Sequence, residues 1–264
     1  MASKSFVRAG GHRLGYRFIN DDLKSPGVPR LLFLHEGLGC IDKWKEFPDK
    51  LSERLSLPGL VYERYGYGDS DTLEEPRQPN FLHREALDIL PEVLQELEIT
   101  EKLILIGHSD GGSISLLYAS KFPDNVLGLI LEAPHVMVEK LSAQGLKAAI
   151  MAYEHSDLKE RLYKYHGKNT DSMFWGWANI WSSDKSLSWN IEEYLGHINA
   201  PVLFIQGEND QYGTLEQLEA IRKGVSGPVI SEIIPECGHI PHHEAEDAVL
   251  ATMHTFISGL NQNL

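Results

Sequence analysis

The 264-residue sequence has only two cysteines, Cys40 and Cys237, which are too few for a disulfide framework. It has no apolar run long enough to span a membrane, and its first residues lack the apolar stretch of a signal peptide. We therefore expect a cytoplasmic location, where a disulfide between the two cysteines would not form. We interpret both as small buried side chains, with a redox role as the alternative.

Basic residues are also scarce. The sequence has 24 lysine and arginine residues against 38 aspartate and glutamate residues, a formal net charge of −14, and no basic run. Such a chain repels nucleic-acid phosphates and anionic membrane surfaces. We expect a small-molecule substrate, with no nucleic acid and no membrane as partner. The composition leaves the oligomeric state open.

Short apolar runs recur along the chain and are separated by segments with helical spacing. Because the runs do not alternate strictly with polar residues, they are typical of strands buried on both faces. The pattern predicts an α/β fold with a mostly parallel sheet, helices on both faces and chemistry at the carboxyl ends of the strands. The predicted strands cover residues 31–34, 60–62, 103–106, 126–131, 202–205 and 229–234.

The alternation of strand and helix stops between residues 134 and 198, where the pattern is helical only. This segment predicts a helical lid inserted into a core domain formed by residues 1–133 and 199–264. It holds four of the five tryptophans. We expect these aromatic side chains either to form a small core of the lid itself or to line an apolar pocket beneath it.

Ser109 lies in a Gly-x-Ser-x-Gly turn that follows an apolar strand and precedes a helical segment. A serine on such a turn has a strained backbone, so residues two before and two after it must be nearly free of side chain. Gly107 and Gly111 meet this demand. A serine hydroxyl also needs a base, an acid that orients the base, and donors that stabilise an oxyanion. Ser109 is therefore a candidate nucleophile.

With this turn and the sequence His35-Glu36-Gly37-Leu38-Gly39, the chain resembles the α/β-hydrolase family, in particular its capped serine-hydrolase branch, over nearly its whole length. The resemblance implies about eight strands, a lid after strand six, and the chain order nucleophile, acid, histidine. It also implies that neither a cofactor nor a metal is needed.

The resemblance assigns Asp210, after the seventh strand, as the acid and His239, after the eighth, as the base. Glu208 and Glu132 are the alternatives for the acid. A zinc site built from His239 and the nearby His242 and His243 is disfavoured, because no complete ligand set with metal-site spacing accompanies them. We interpret the last two histidines as loop residues near the rim of the site.

The resemblance places the oxyanion hole at the backbone N–H of Asp110 and at that of Gly37 or Leu38. The chain departs from the family pattern at two positions here. Glu36 replaces the usual glycine, and Asp110 replaces a bulky apolar residue.

A carboxylate that faces a developing oxyanion would oppose it. We therefore expect both acidic side chains to turn toward cationic or histidine partners such as Arg64, His35 and His108. The alternative is that one of them binds a polar or cationic substrate group or carries a second proton.

The leading hypothesis is a serine hydrolase with a Ser-His-Asp triad that forms an acyl-enzyme with a small carboxylic ester or lactone carrying an apolar or aromatic part. One alternative is a hydrolase that cleaves carbon–carbon bonds in aromatic ring-cleavage products. Another is a small-molecule receptor with little or no turnover. The residues proposed to contact substrate are Glu36, Trp44, Trp175, Trp177, Trp181 and Tyr212.

Overall fold

The computed structural model describes residues 4–261. Its strands are β1 (Ser5–Ala9), β2 (His12–Ile19), β3 (Arg30–Leu34), β4 (Gly59–Tyr62), β5 (Leu103–His108), β6 (Val126–Glu132), β7 (Val202–Gly207) and β8 (Val229–Ile234). They form one sheet within the described range, in the order β1-β2-β4-β3-β5-β6-β7-β8. β1 and β2 pair antiparallel, as do β2 and β4, and all later neighbours pair parallel. The predicted α/β fold with a mostly parallel sheet is confirmed.

The helices follow the strands closely in the chain. They are α1 (Phe47–Leu55), α2 (Phe81–Arg84), α3 (Leu90–Glu96), α4 (Asp110–Lys121), α5 (Lys140–His155), α6 (Leu158–His166), α7 (Thr170–Trp181), α8 (Glu192–Leu195), α9 (Glu216–Gly224), α10 (Pro241–Glu244) and α11 (Glu246–Asn261). A π-helical turn, Glu85–Ile89, joins α2 to α3, so the three form one continuous helical stretch over residues 81–96. No helix in residues 4–261 has the length and apolar character that crossing a membrane requires.

Apolar side chains on both sides of the sheet explain why its central strands are continuous apolar runs. In β5, Leu103 and Leu105 belong to one core, and Ile104 and Ile106 belong to the core on the opposite face. Helices α3, α4 and α9 contribute to the first core, while α1 and α11 contribute to the second. This double burial holds the carboxyl ends of β5, β6 and β7 side by side.

The two edges of the sheet differ from the sequence expectation. β8 was expected to be buried on both faces, which is wrong: its side chains alternate in burial, and Ile230 is 57% exposed. The reason is that β8 is an edge strand with a single neighbour. At the other edge, the pair Gly10 and Gly11 forms the two-residue turn between β1 and β2, both with positive φ.

Helices α5 to α8 lie between β6 and β7, within the segment predicted as a lid. We call residues 134–198 the lid insertion. The division of the chain into two domains at these bounds stays a prediction. Residues of α5, α6 and α7 form a separate apolar cluster, in which the rings of Tyr153 and Phe174 stack with centroids 3.7 Å apart. The cluster also includes Tyr67, which lies outside the lid insertion, so these side chains pack the lid insertion against the rest of the chain.

Candidate active site

Ser109 lies between the end of β5 and the start of α4 and has φ 53° and ψ −115°. This strained conformation directs the side chain away from both elements. The flanking glycines are required by close backbone contacts: a Cβ at Gly111 would overlap the carbonyl oxygen of Leu34, and a Cβ at Gly107 would overlap that of Gly111. The turn is therefore held tightly against the end of β3.

His239 and Asp210 form a hydrogen-bonded pair, with Nδ1 of the imidazole 2.8 Å from Oδ1 of the carboxylate. The backbone N–H of Tyr212 donates to the same oxygen at 2.8 Å, and Gln206 Nε2 donates to Oδ2 at 3.3 Å. Burial raises the pKa of Asp210, but the hydrogen bond and charge of His239 outweigh it, and the net pKa is lowered. An ionised Asp210 that accepts from Nδ1 leaves Nε2 of His239 free to accept a proton.

Neither alternative acid is placed beside His239. The carboxylate of Glu132 is fully buried and accepts from the backbone N–H and from Nδ1 of His242, at 3.1 and 2.8 Å. Glu208 is exposed and accepts from the backbone N–H of Glu236 at 3.3 Å. Asp210 is thus the carboxylate that orients His239.

The backbone N–H groups predicted for the oxyanion hole have no competing acceptor. The N–H of Asp110 is in the first turn of α4, where no intrahelical acceptor exists. Within residues 4–261, the N–H groups of Gly37 and Leu38 also lack a hydrogen-bond acceptor. These donors are available to a negatively charged oxygen of a substrate.

The carboxylate of Asp110 is paired, in agreement with one part of the sequence expectation. Its Oδ2 is 3.5 Å from Arg64 Nη1, and its Oδ1 is 3.4 Å from Nε2 of His135. Burial raises the pKa of Asp110, but the His135 hydrogen bond and the Arg64 charge outweigh it and lower the net pKa. Arg64 also donates to the backbone carbonyl of Glu36 at 2.7 Å. The same guanidinium therefore anchors residues 35–39, which we call the oxyanion loop because they include the predicted donors Gly37 and Leu38.

The side chain of Glu36 also turns toward partners. Its Oε1 is 2.8 Å from Lys43 Nζ, and its Oε2 is 3.8 Å from His108 Nδ1. Against the effect of burial, these two groups hold the pKa of Glu36 well below its usual range. Glu36 does not line the cavity at Ser109.

A cavity of about 70 Å³ opens beside Ser109 and Asp110, with most of its wall formed by apolar and aromatic residues of the lid insertion. Three of the residues predicted to contact substrate line it: Trp177, Trp181 and Tyr212. The ring of Tyr212 also packs on His239, with centroids 4.6 Å apart. The remaining wall residues are His135, Met137, Val138, Ser142, Ala143, Leu146 and Leu187.

Two tryptophans predicted to contact substrate lie outside this cavity. Trp44 is buried in the core behind the site, where its ring packs on His242 with centroids 4.5 Å apart. Trp175 lies on a different surface groove, and its ring contacts those of Tyr153 and Phe174. Both rings pack on neighbouring aromatic rings, and neither lines the cavity at Ser109.

Sequence reasoning missed His135 and the buried Glu132–His242 pair. The interpretation of His242 as a loop residue near the rim is wrong, because it lies in α10 and its side chain is buried against Glu132. His135 lies three residues after the end of β6 and lines the cavity. Its place after the carboxyl end of a strand is the feature of the sequence that indicates a site residue. No group of three or more potential ligands in residues 4–261 is arranged to hold a metal ion. Burial raises the pKa of the Cys40 and Cys237 thiols, to about 12 and about 11, which makes both poor nucleophiles.

The fold agrees with comparisons to known proteins. Residues 29–182 match the model of the family described as alpha/beta hydrolase fold, so the chain belongs to that family and is a hydrolase. It is 25% identical over 244 residues to a 2-hydroxy-6-oxononadienedioate/2-hydroxy-6-oxononatrienedioate hydrolase of Comamonas testosteroni, covering 83% of this chain and 84% of that protein. It is 26% identical to Lipase 3 of Moraxella sp. (strain TA144), covering 98% and 85%. Among solved structures, a membrane phospholipase A described as a bacterial virulence factor superposes with a TM-score of 0.78 at 21% identity, covering 98% and 87%.

Proposed function

We propose that the chain is a serine hydrolase in which Ser109, His239 and Asp210 form the catalytic triad. The observation that carries this proposal is the 2.8 Å pair of His239 and Asp210 at the same site as a strained, cavity-lining Ser109. Among the described residues, the Ser109 hydroxyl donates no hydrogen bond to His239 or to another side chain, and the hydrogen bond between a nucleophile and its base is often long before substrate binds.

In the proposed reaction, Nε2 of His239 takes the proton of Ser109 Oγ as the oxygen attacks the substrate carbonyl carbon. The N–H groups of Asp110 and of Gly37 or Leu38 donate to the resulting oxyanion. The intermediate collapses to an acyl-enzyme, and His239 gives its proton to the leaving alcohol oxygen. Water then attacks the acyl carbon with His239 as base, which releases the carboxylic acid and restores Ser109.

The substrate class follows from the cavity. Its volume of about 70 Å³ and its aromatic and aliphatic wall fit the apolar part of a small carboxylic ester or lactone. A carbon–carbon hydrolase of ring-cleavage products, as the Comamonas relative is named, would need a cation for the carboxylate of its substrate. No lysine or arginine lines the described cavity, and Arg64 already pairs with Asp110. We therefore favour the ester or lactone.

The test compares purified wild type with Ser109→Ala on three substrate classes: p-nitrophenyl esters of short acyl chains, an aromatic lactone, and a 2-hydroxy-6-oxodienoate. We expect Ser109-dependent turnover of an ester or the lactone, with kcat falling about 10⁴-fold or more in the variant. Turnover restricted to the dienoate would support the carbon–carbon alternative. Tight binding of all three without Ser109-dependent turnover would support a receptor and contradict the proposal.

A further inference from the structure

The lid insertion places a tryptophan directly against the oxyanion loop. Gly37 has no side chain, and the indole edge of Trp177 occupies the space that one would fill. A Cβ at Gly37 would overlap Trp177 Nε1 and lie 2.6 Å from Trp177 Cδ1. The N–H edge of the indole therefore rests on the backbone of a residue whose own N–H is a predicted oxyanion donor.

The indole N–H of Trp177 has no partner within the described chain. None of the side-chain hydrogen bonds found in residues 4–261 involves its Nε1. The indole nitrogens of Trp44 and Trp189 also lack partners, but those two are sealed in the core. Trp177 lines the cavity shared with Ser109 and Asp110, and its Nε1 is not sealed. It is thus an unused donor that lies against Gly37, on a residue that lines the cavity at Ser109.

The position of this donor is fixed by packing. Trp177 belongs to α7 and is 9% exposed, and its ring packs on Phe174 with centroids 6.0 Å apart. Phe174 in turn stacks on Tyr153 of α5, so two helices of the lid insertion hold the indole. Donors that are held in place before the reaction cost no reorganisation when charge develops.

We propose that Trp177 donates the hydrogen bond of its Nε1–H to the substrate oxygen that becomes the oxyanion, as a third donor beside the two backbone N–H groups. The proposal rests on the proposed serine hydrolase function. No new covalent step is involved, and the indole keeps its proton throughout. The added donor offsets the unfavourable field of the Asp110 carboxylate, which the chain carries immediately after Ser109.

This role has a mechanical consequence. The two backbone donors belong to the core, whereas the third belongs to the lid insertion, so the oxyanion hole is complete only when α7 rests on Gly37. A substrate that opens the lid on entry would be hydrolysed at the full rate only after α7 returns, which couples closure of the site to the chemical step.

The test is the substitution Trp177→Phe, which removes the N–H and keeps a ring in place. With the ester found to be the best substrate, we expect kcat to fall about 10- to 100-fold and KM to change less than about threefold, because the bond is made mainly in the transition state. The control is Tyr163→Phe, which removes a polar hydrogen from a ring of α6 that is 62% exposed and does not line the cavity, and which should leave kcat unchanged. Replacing Trp177 with benzothienylalanine, which exchanges the N–H for sulfur, gives the same comparison if the phenylalanine variant fails to fold.

The outcomes separate the two proposals. A wild type without Ser109-dependent turnover overturns the proposed function and this inference with it. A wild type with Ser109-dependent turnover, together with a Trp177→Phe variant whose kcat is within twofold of wild type, overturns this inference alone. A variant that raises KM with kcat unchanged also overturns it, because the indole would then contribute only to ground-state binding.

Discussion

His166, at the end of α6, joins the lid insertion to the oxyanion loop, and the pH dependence of this contact can be predicted. Its Nδ1 accepts from the backbone N–H of Gly68 at 3.0 Å, so its Nε2 donates to the carbonyl oxygen of Leu38 at 3.1 Å. The contact with Gly68 requires the neutral imidazole, since a protonated Nδ1 would face another donor. Burial lowers the pKa of His166 to about 4, although its hydrogen bond to Leu38 raises it.

The magnitude follows from the two pKa values. The ordinary value of 6.5 applies to the unfolded chain and about 4 to the folded one, so the unfolded chain binds more protons between these pH values. The stabilisation from neutral His166 is fully present above pH 6.5 and is lost as the pH falls toward 4. Since one pKa unit corresponds to 1.36 kcal/mol, the whole effect is about 3 kcal/mol.

The measurement is the free energy of unfolding from urea titrations between pH 7 and 4.5, for wild type and His166→Gln. Glutamine supplies a donor near the position of Nε2 and does not titrate. Other groups also change the stability of both proteins over this range, so the difference between the two curves isolates His166. We expect the advantage of wild type to shrink by about 2.5 kcal/mol from pH 7 to pH 4.5.

The control is His155→Gln, a substitution of the same type at an imidazole whose side chain is 65% exposed. Its curve should run parallel to that of wild type. If the curves of His166→Gln and wild type are also parallel within about 0.5 kcal/mol, the reasoning about the buried, neutral His166 is refuted.

Three further predictions concern the site and its support. Asp210→Asn should keep the fold but lower kcat about 10⁴-fold, because His239, the proposed base, loses the partner that fixes its tautomer. Steady-state kinetics checks this, and a loss below tenfold would contradict it. Gly111→Ala should destabilise the protein by about 1–3 kcal/mol or more, because the new methyl group meets backbone carbonyls that cannot yield, and a urea titration within 0.5 kcal/mol of wild type would refute this. Glu132→Gln should lower the free energy of unfolding by about 3–5 kcal/mol in the same assay, because it breaks a buried pair with His242. Glu246→Gln removes a partly exposed partner of Lys50 and should lower it by under about 1 kcal/mol. Equal costs for the last two variants would contradict the difference in burial.

Much of the fold could be predicted because its central strands are buried on both faces and therefore form continuous apolar runs. The runs at 103–106 and 202–205 correspond to β5 and β7, each of which is two residues longer in the structure. The edge strand β8 departs from the expectation, since an edge strand needs apolar residues on one face only. The dipeptide Gly10-Gly11, which forms the turn between β1 and β2, is a hairpin signal in the sequence.

The candidate site could also be predicted only in part. Ser109, Asp210 and His239 follow strands in the family's order, so local sequence is enough to nominate them. The partners of Asp110 could be foreseen only in part: Arg64 was expected, while His135 was not. Which tryptophans face the cavity depends on how α7 rotates above the sheet, and helical spacing alone does not determine that rotation. Trp177 and Trp175 are two residues apart on α7 yet lie on different surfaces.

The central claim is that Ser109 is an activated nucleophile. The most direct measurement is the intact mass of the protein after treatment with a fluorophosphonate, followed by peptide mapping, for wild type, Ser109→Ala and Ser113→Ala, the last a buried serine on the next turn. We predict one adduct, located on Ser109, in wild type and in Ser113→Ala, and none in Ser109→Ala. An adduct that persists in Ser109→Ala, or no adduct on wild type, would contradict the claim.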